Sequence, residues 1–283
     1  MVNVAARLDL DRILEGLNPD FVDEKKPLPV EQSDFSEVLR QYRAFNEWKP
    51  TLEDMGPYNL LDATLKRTAK IKTILPPAAI NALFSSIITN DYNADRMTFF
   101  ISCLIQNSYN AGYNDFLLQT LDEETNYLCR NLQGTKDNPL KVTVTGNGTS
   151  HLGGESQYIF LTVHGDAWGL GPGVRDSTFI LDGDDLGNLG WHPIDSMSSD
   201  GSLRSTYVLK GKIGSDAGRT CSDCTFKVYN QDAVKKLYIP PTIYNFPTNT
   251  IILVENGIEK VIVENGIEKV LVENGIEKVI KRG

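Results

Sequence analysis

The chain of 283 residues is poor in cysteine and histidine and contains no long apolar run. Its four cysteines are too few and too unevenly spaced for a disulfide framework. No stretch approaches the ~20 apolar residues that a membrane-spanning helix needs. Residues 1–20 also lack the continuous apolar centre of a secretory signal. These absences predict a cytoplasmic protein without a membrane span.

Basic residues are scarce as well. The chain has 28 lysines and arginines against 37 aspartates and glutamates, which gives a net charge of −9. Proteins that bind nucleic acid usually present a basic surface to the phosphates. The charge balance therefore predicts no nucleic-acid partner.

Glycines, by contrast, recur at a regular spacing, and each follows a short stretch of alternating apolar residues. The intervals between them are 19, 18 and 28 residues, and an asparagine follows after a further 19. The residues are Gly146, Gly165, Gly183, Gly211 and Asn230. A period near 20 with one strand per unit is typical of a solenoid.

The positions four and two residues before each of these glycines are apolar in every repeat. Position −4 holds Val142, Leu161, Phe179, Tyr207 and Phe226, and position −2 holds Val144, Val163, Leu181, Leu209 and Val228. Position −1 is mostly polar: Thr145, His164, Asp182, Lys210 and Tyr229. Because side chains alternate across a strand, the pattern predicts two columns of inward-facing apolar side chains.

Residues 1–138 have apolar residues at helical spacing instead, as in Val38, Leu39 and Tyr42. A second helical stripe begins at Met97, and the two prolines at 76–77 precede an apolar run to Ile88. We expect a helical domain that packs on itself or caps the solenoid.

Residues 241–283 comprise a proline-containing linker and near-identical nonapeptides with Asn-Gly at 256–257, 265–266 and 274–275. Asn-Gly between β-branched runs predicts tight hairpins, because a type I′ turn needs positive φ at two residues. We interpret the segment as a four-stranded meander. An element that pairs with other chains through its edges is the alternative.

The sequence therefore predicts a multidomain α+β protein. Residues 1–138 form a helical domain, residues 139–240 a parallel β-solenoid, and residues 241–283 a linker and β-hairpin meander.

One repeat has glycines in a G-x-x-G-x-x-x-G spacing, Gly211, Gly214 and Gly218, followed by Cys224-Thr-Phe-Lys-Val. This pattern resembles the right-handed parallel β-helix of the GXGXG type, as in the C-terminal domain of the glutamate synthase large subunit and related formylmethanofuran dehydrogenase subunits. It is also similar to uncharacterised archaeal proteins in which such coils follow a helical domain. The resemblance implies an architecture without catalytic residues.

Cys221 and Cys224 form a C-x-x-C pair. A structural zinc site usually combines two such pairs, and a redox pair usually lies at a helix N-terminus. The alternation after Cys224 places it at the start of a strand, level with Ser177 and Ser205. Packing within a coil is the preferred interpretation, with metal binding and redox chemistry as alternatives.

Two groups of residues are candidates for ligand binding. The insertion at residues 191–200 should form a loop, and its His192, Asp195 and Ser196 are the residue types of a hydrolytic triad. Acidic residues flank Gly183 and could bind Ca²⁺ or act as paired acids on a sugar. A surface loop and solvated turn residues are the preferred interpretations. The candidate binding residues are Trp168, Asp182, Asp184, Asp185, Trp191, His192 and Asp195.

The sequence favours a non-enzymatic structural or interaction protein with a protein partner or self-association, and no metal or cofactor is predicted. One alternative is a carbohydrate-binding or carbohydrate-cleaving β-helix that uses the acidic residues together with Trp168 or Trp191. Another is self-assembly through the C-terminal repeats.

Overall fold

The structure is a computed structural model of the chain. It describes residues 32–49, 64, 66–88, 94–147, 149–187, 189, 202–214, 217–218, 221–237, 248–264, 267–268, 271–273 and 276–278. Within these residues the chain is a mixed α/β protein with a large, mostly parallel sheet.

Helices α1 (Gln32–Asn46), α2 (Pro77–Ile88) and α3 (Ala94–Asn110) precede the sheet. The predicted helical stripes are confirmed, since Val38, Leu39, Tyr42 and Met97 are all buried. Tyr42 of α1 packs edge-on against Phe100 of α3, with ring centroids 5.2 Å apart. The helices thus share one apolar core.

The large sheet contains strands in the order β1-β3-β5-β7-β8-β9-β10-β11-β12, and its pairings are parallel from β1 to β10. The parallel strands are β1 (Asp115–Gln119), β3 (Leu140–Thr145), β5 (Ile159–His164), β7 (Thr178–Leu181), β8 (Thr206–Leu209), β9 (Thr225–Val228) and β10 (Thr250–Glu255).

The two predicted apolar columns are confirmed by the register of these strands. Positions −4 and −2 of successive repeats are paired with each other, and all of these side chains are buried. The rings of Phe179, Tyr207 and Phe226 stack at centroid distances of 5.3 and 5.2 Å. Alternation at a fixed phase therefore produces one continuous core.

A second, smaller sheet runs beside the first. It contains β2 (Thr125–Asn126), β4 (Thr149–Leu152) and β6 (Ala167–Leu170), all parallel, and single bridges continue it from Ala167 to Asp185 and Ile213. A third line consists of parallel bridges alone and joins Gln133, Gln157, Arg175, Leu203 and Ser222. The five repeats that begin with β1, β3, β5, β7 and β8 thus each contribute to three parallel lines of pairing.

The glycines of the repeat are required by close backbone contacts between neighbouring repeats. A Cβ atom at Gly183 would lie 2.3 Å from the carbonyl oxygen of Gly165, and one at Gly211 would lie 2.3 Å from that of Gly183. No real Cβ tolerates such a contact, so only glycine can occupy these positions.

The helical prediction for residues 1–138 is wrong in its last part, where β1 and β2 already belong to the two sheets. Thr120 occupies the phase of the anchor glycine in this first repeat, and its backbone N–H donates to Thr145. Because this repeat has no glycine at that position, the glycine spacing starts only at the second repeat.

Side chains of the helices bond to the first member of each of the three lines. The backbone N–H of Gln119 in β1 donates to Asn81 Oδ1 at 3.0 Å. Thr98 Oγ1 donates to the carbonyl of Asn126 in β2 at 2.6 Å. Gln106 accepts from the N–H of Gln133 at 2.7 Å and donates to its carbonyl at 3.1 Å. The helices therefore satisfy backbone groups that an open sheet edge would expose.

At the other end, helix α4 (Gln231–Leu237) follows β9, and β11 (Ile258–Glu264) pairs antiparallel with β10. The predicted Asn-Gly turn is confirmed here, with φ of 51° at Asn256 and 76° at Gly257. β12 (Ile267–Glu268) pairs antiparallel with β11, and β13 (Leu271–Glu273) with β14 (Ile276–Lys278). Because β10 is also parallel to β9, the first hairpin continues the large sheet.

Candidate functional site

Asp182 follows β7 on the outer face of the large sheet, between His164 and Lys210 of the adjacent repeats. Its Oδ2 lies 2.6 Å from His164 Nδ1, and its Oδ1 lies 2.5 Å from Lys210 Nζ. The hydrogen bond from Lys210 has the largest effect and lowers the pKa of Asp182, and the hydrogen bond from His164 lowers it further. A partly exposed carboxylate that stays ionised in this way is suited to pairing rather than to donating a proton.

Asp184 belongs to a column of Asp and Asn side chains, one from each repeat, which we call the Asx column. In each case Oδ1 accepts the backbone N–H of the residue that follows it in the column, at 2.7 or 2.8 Å. The column consists of Asp122, Asn147, Asp166 and Asp184, and it ends on the N–H of Lys212. Asp184 therefore joins two turns of the backbone.

Asp185 is buried, with 1% of its surface exposed, on the inner side of the second sheet. Its Oδ1 accepts the backbone N–H groups of Gly169 at 3.0 Å and Gly187 at 3.3 Å. Burial raises the pKa of Asp185 to about 6, and the two N–H groups partly oppose this shift. The three carboxylates around Gly183 thus have three different environments: an outer ion pair, a backbone bridge and the protein interior.

Trp168 lies on the outer side of the second sheet and is 57% exposed. The bridge between Ala167 and Asp185 places Leu186, which is 45% exposed, in the neighbouring repeat beside it. Trp168 is therefore on the opposite side of this sheet from the carboxylate of Asp185. The other predicted binding residues, Trp191, His192 and Asp195, lie outside the described residues, as does Ser196.

Cys224 occupies the position of a serine in a second column, as the sequence predicted. Ser177 Oγ and Ser205 Oγ each donate to the carbonyl two residues earlier, and Cys224 Sγ does the same to Ser222 at 3.3 Å. The hydrogen bond between the two thiols raises the pKa of Cys221 and lowers that of Cys224. Both cysteines are buried.

A cation site would need additional ligands near these residues. In the described part of the chain, no three His, Cys, Asp or Glu residues are grouped so that they could hold a metal ion. None of the helices described here is long and apolar enough to cross a bilayer.

A groove of about 410 Å³ crosses the start of β5, β7 and β8, and sequence reasoning did not identify it. Its walls include Lys136, Tyr158, Phe160, Asp176 and Arg204. Tyr158, Asp176 and Arg204 are the residues at which the backbone turns into these strands, with φ of 53°, 49° and 47°. Equivalent positions in successive repeats thus present an aromatic ring, a carboxylate and a guanidinium side by side.

Comparisons with known proteins add no relative: no protein-family model matches the chain, and neither curated proteins nor solved structures give a match.

Proposed function

We propose that this chain is a non-catalytic structural or interaction protein built on a right-handed parallel β-solenoid. Three parallel lines of pairing, each with one contribution from every repeat between β1 and β8, support this architecture. The stacked apolar columns and the glycine contacts are what a solenoid of coils ~4.8 Å apart requires. The resemblance to the GXGXG-type β-helix agrees with this proposal.

The non-catalytic part of the proposal rests on one observation: Asp182, Asp184 and Asp185 make different interactions and do not form a common site. Sugar-cleaving sites hold two carboxylates on either side of one bond. In this chain one carboxylate is neutralised by Lys210, one binds a backbone N–H, and one is buried. The first two of these interactions link neighbouring repeats.

The test is a panel of nitrophenyl glycosides, polysaccharides and nitrophenyl esters given to the full chain. We expect no turnover. Asp182→Asn and Asp185→Asn serve as variants of the candidate residues, and Asp115→Asn, at an exposed strand start, as the matched control. Turnover that is kept in the control and lost in either of the other variants would overturn the proposal.

Self-association through the C-terminal hairpins is a second proposal, favoured by their sequence and register. The octapeptide Leu-Val-Glu-Asn-Gly-Ile-Glu-Lys occurs at both 253–260 and 271–278. Leu253 pairs with Lys260 and Leu271 with Lys278, so the two hairpins have the same register. Because identical strands offer identical edges, a hairpin of one copy has the same pairing options with a second copy.

A further inference from the structure

The groove at the start of β5, β7 and β8 combines aromatic, charged and hydroxyl side chains. Its floor is formed by the outward-facing residues Phe160, Thr178 and Thr206, which are paired with one another in register. Phe160 is 37% exposed, so its ring is accessible from the groove. Lys136 also lines the groove.

The backbone positions beside this floor carry side chains that are unfavourable for stability. Left-handed backbone favours glycine, asparagine or aspartate, and a larger residue there costs about 1 kcal/mol. Asp176 fits this preference, but Tyr158 and Arg204 do not. The same conformation recurs at Asp223 in the next repeat, so this corner belongs to the coil and orients each of these side chains.

The polar groups in the groove are already ordered. Arg204 donates to Asp176 through Nε and Nη2, both at 2.7 Å, and Gln157 Nε2 donates to Asp176 Oδ2 at 3.3 Å. This fixes the planes of the carboxylate and the guanidinium. Fixed planar groups that can both donate and accept are suited to pairs of neighbouring hydroxyl groups.

Other classes of ligand fit less well. The guanidinium of Arg204 is already engaged in a bidentate pair, and the chain has a net charge of −9, which disfavours phosphates and nucleic acid. A peptide strand needs a free sheet edge, whereas β5 and β7 are paired on both sides.

We infer that this groove binds a short saccharide, with Tyr158 and Phe160 against the apolar faces of the pyranose rings and Asp176, Arg204 and the threonine hydroxyls bonded to the sugar hydroxyls. The groove crosses three adjacent strands and so extends over ~10 Å at the usual strand spacing. That length accommodates two pyranose rings. The inference goes beyond the proposed structural role and uses none of the carboxylates discussed for catalysis.

The test is calorimetric titration of the full chain with soluble pentasaccharides of cellulose, xylan, mannan, chitin and polygalacturonate. At least one should bind, with a dissociation constant in the micromolar to millimolar range. Tyr158→Asn removes the ring and supplies a residue that favours the left-handed backbone. It should weaken binding about tenfold, as expected for the loss of one aromatic contact, without lowering the melting temperature.

Phe160→Ala should weaken binding to a similar extent, because this side chain is exposed and its loss leaves the core intact. Tyr229→Ala is the matched control, an exposed aromatic after the end of β9, and should bind like the unaltered chain. Trp168→Ala tests the carbohydrate site that the sequence suggested on the other sheet. The inference is overturned if none of the five saccharides binds. It is also overturned if binding is lost in Trp168→Ala and retained in Tyr158→Asn and Phe160→Ala.

Discussion

The carboxylate of Asp166 accepts the backbone N–H of Asp184 at 2.8 Å, and Asp184 in turn accepts the N–H of Lys212 at 2.7 Å. Each side chain of the Asx column thus bonds to the next turn of the chain, where the sheets do not supply a partner. Because Asn147 occupies the same position as Asp166 and Asp184, the column depends on a side-chain oxygen rather than on charge.

Replacing Asp184 should distinguish the contribution of its side-chain oxygen from the contribution of its charge. In Asp184→Ala the N–H of Lys212 loses its acceptor, and we expect the free energy of unfolding to fall by about 1 kcal/mol. Asp184→Asn keeps the oxygen and should remain within about 0.5 kcal/mol of the unaltered chain. Urea denaturation measures both values. Equal losses in the two variants would show that the charge of Asp184 matters and not its hydrogen bond.

In the cap on the first repeat, the side chain of Gln106 bonds to backbone groups that would otherwise pair with another strand. Gln106 both donates to and accepts from the backbone of Gln133, so Gln106→Ala removes two hydrogen bonds at once. We expect a loss of about 1–3 kcal/mol in unfolding free energy and faster amide exchange at residues 131–134.

Gln231 provides the control, because its side chain makes an exposed hydrogen bond to Glu255 and does not cap a strand. Gln231→Ala should cost less than about 0.5 kcal/mol. If the two alanine variants are equally stable, the helices do not protect the edge through Gln106.

The regular part of this fold could be predicted from the sequence because two signals coincide. The alternation of apolar residues identifies each strand and the face that points inward. The anchor glycine, which a close backbone contact requires, shows which residues of successive strands are level with one another. Once both are known, Phe179 must lie beside Tyr207 in the next repeat, as observed. The hairpin turn was equally accessible, since Asn256-Gly257 specifies positive φ by its chemistry.

The candidate site residues were harder to predict from the sequence, for physical reasons. Asn147, Asp166 and Asp184 each follow an anchor glycine, and this spacing is visible in the sequence. Their hydrogen bonds join different repeats, however, and the sequence of a single repeat does not reveal them. Tyr158 and Arg204 occupy left-handed backbone against their own preference, so residue propensities predict an ordinary conformation there. β10 pairs with β9 although the proline-containing linker separates the two strands in the sequence. The prolines suggested a domain boundary, so this pairing was not predicted.

Asp185 should make stability depend on pH. Its pKa is about 6 in the folded chain, against 3.8 for an aspartate exposed to water, because the carboxyl group is buried. The folded state therefore holds the proton more tightly. The associated stabilisation is fully present below pH 4 and is lost as the pH rises through 6, by about 3 kcal/mol in total.

Asp185→Asn cannot ionise but retains an oxygen for the N–H groups of Gly169 and Gly187. The free energy of unfolding of this variant, relative to the unaltered chain, should therefore rise between pH 4 and 7. Urea denaturation at a series of pH values gives this difference, in which the titration of other groups cancels. A difference that is constant with pH would mean that Asp185 does not titrate in this range.

The C-terminal hairpins should determine the oligomeric state if they associate between copies. Ile258 and Val261 of β11 are 62% and 37% exposed, so their replacement by lysine leaves the core unchanged and adds charge beside the strand edge. We expect the full chain to form assemblies in multi-angle light scattering, and the double variant Ile258→Lys, Val261→Lys to have the mass of one chain. Ile74→Lys, at a 53% exposed position before α2, should assemble like the unaltered chain. A full chain that remains monomeric as its concentration is raised would exclude association through these hairpins, and a loss of assembly in Ile74→Lys would assign the contact to another surface.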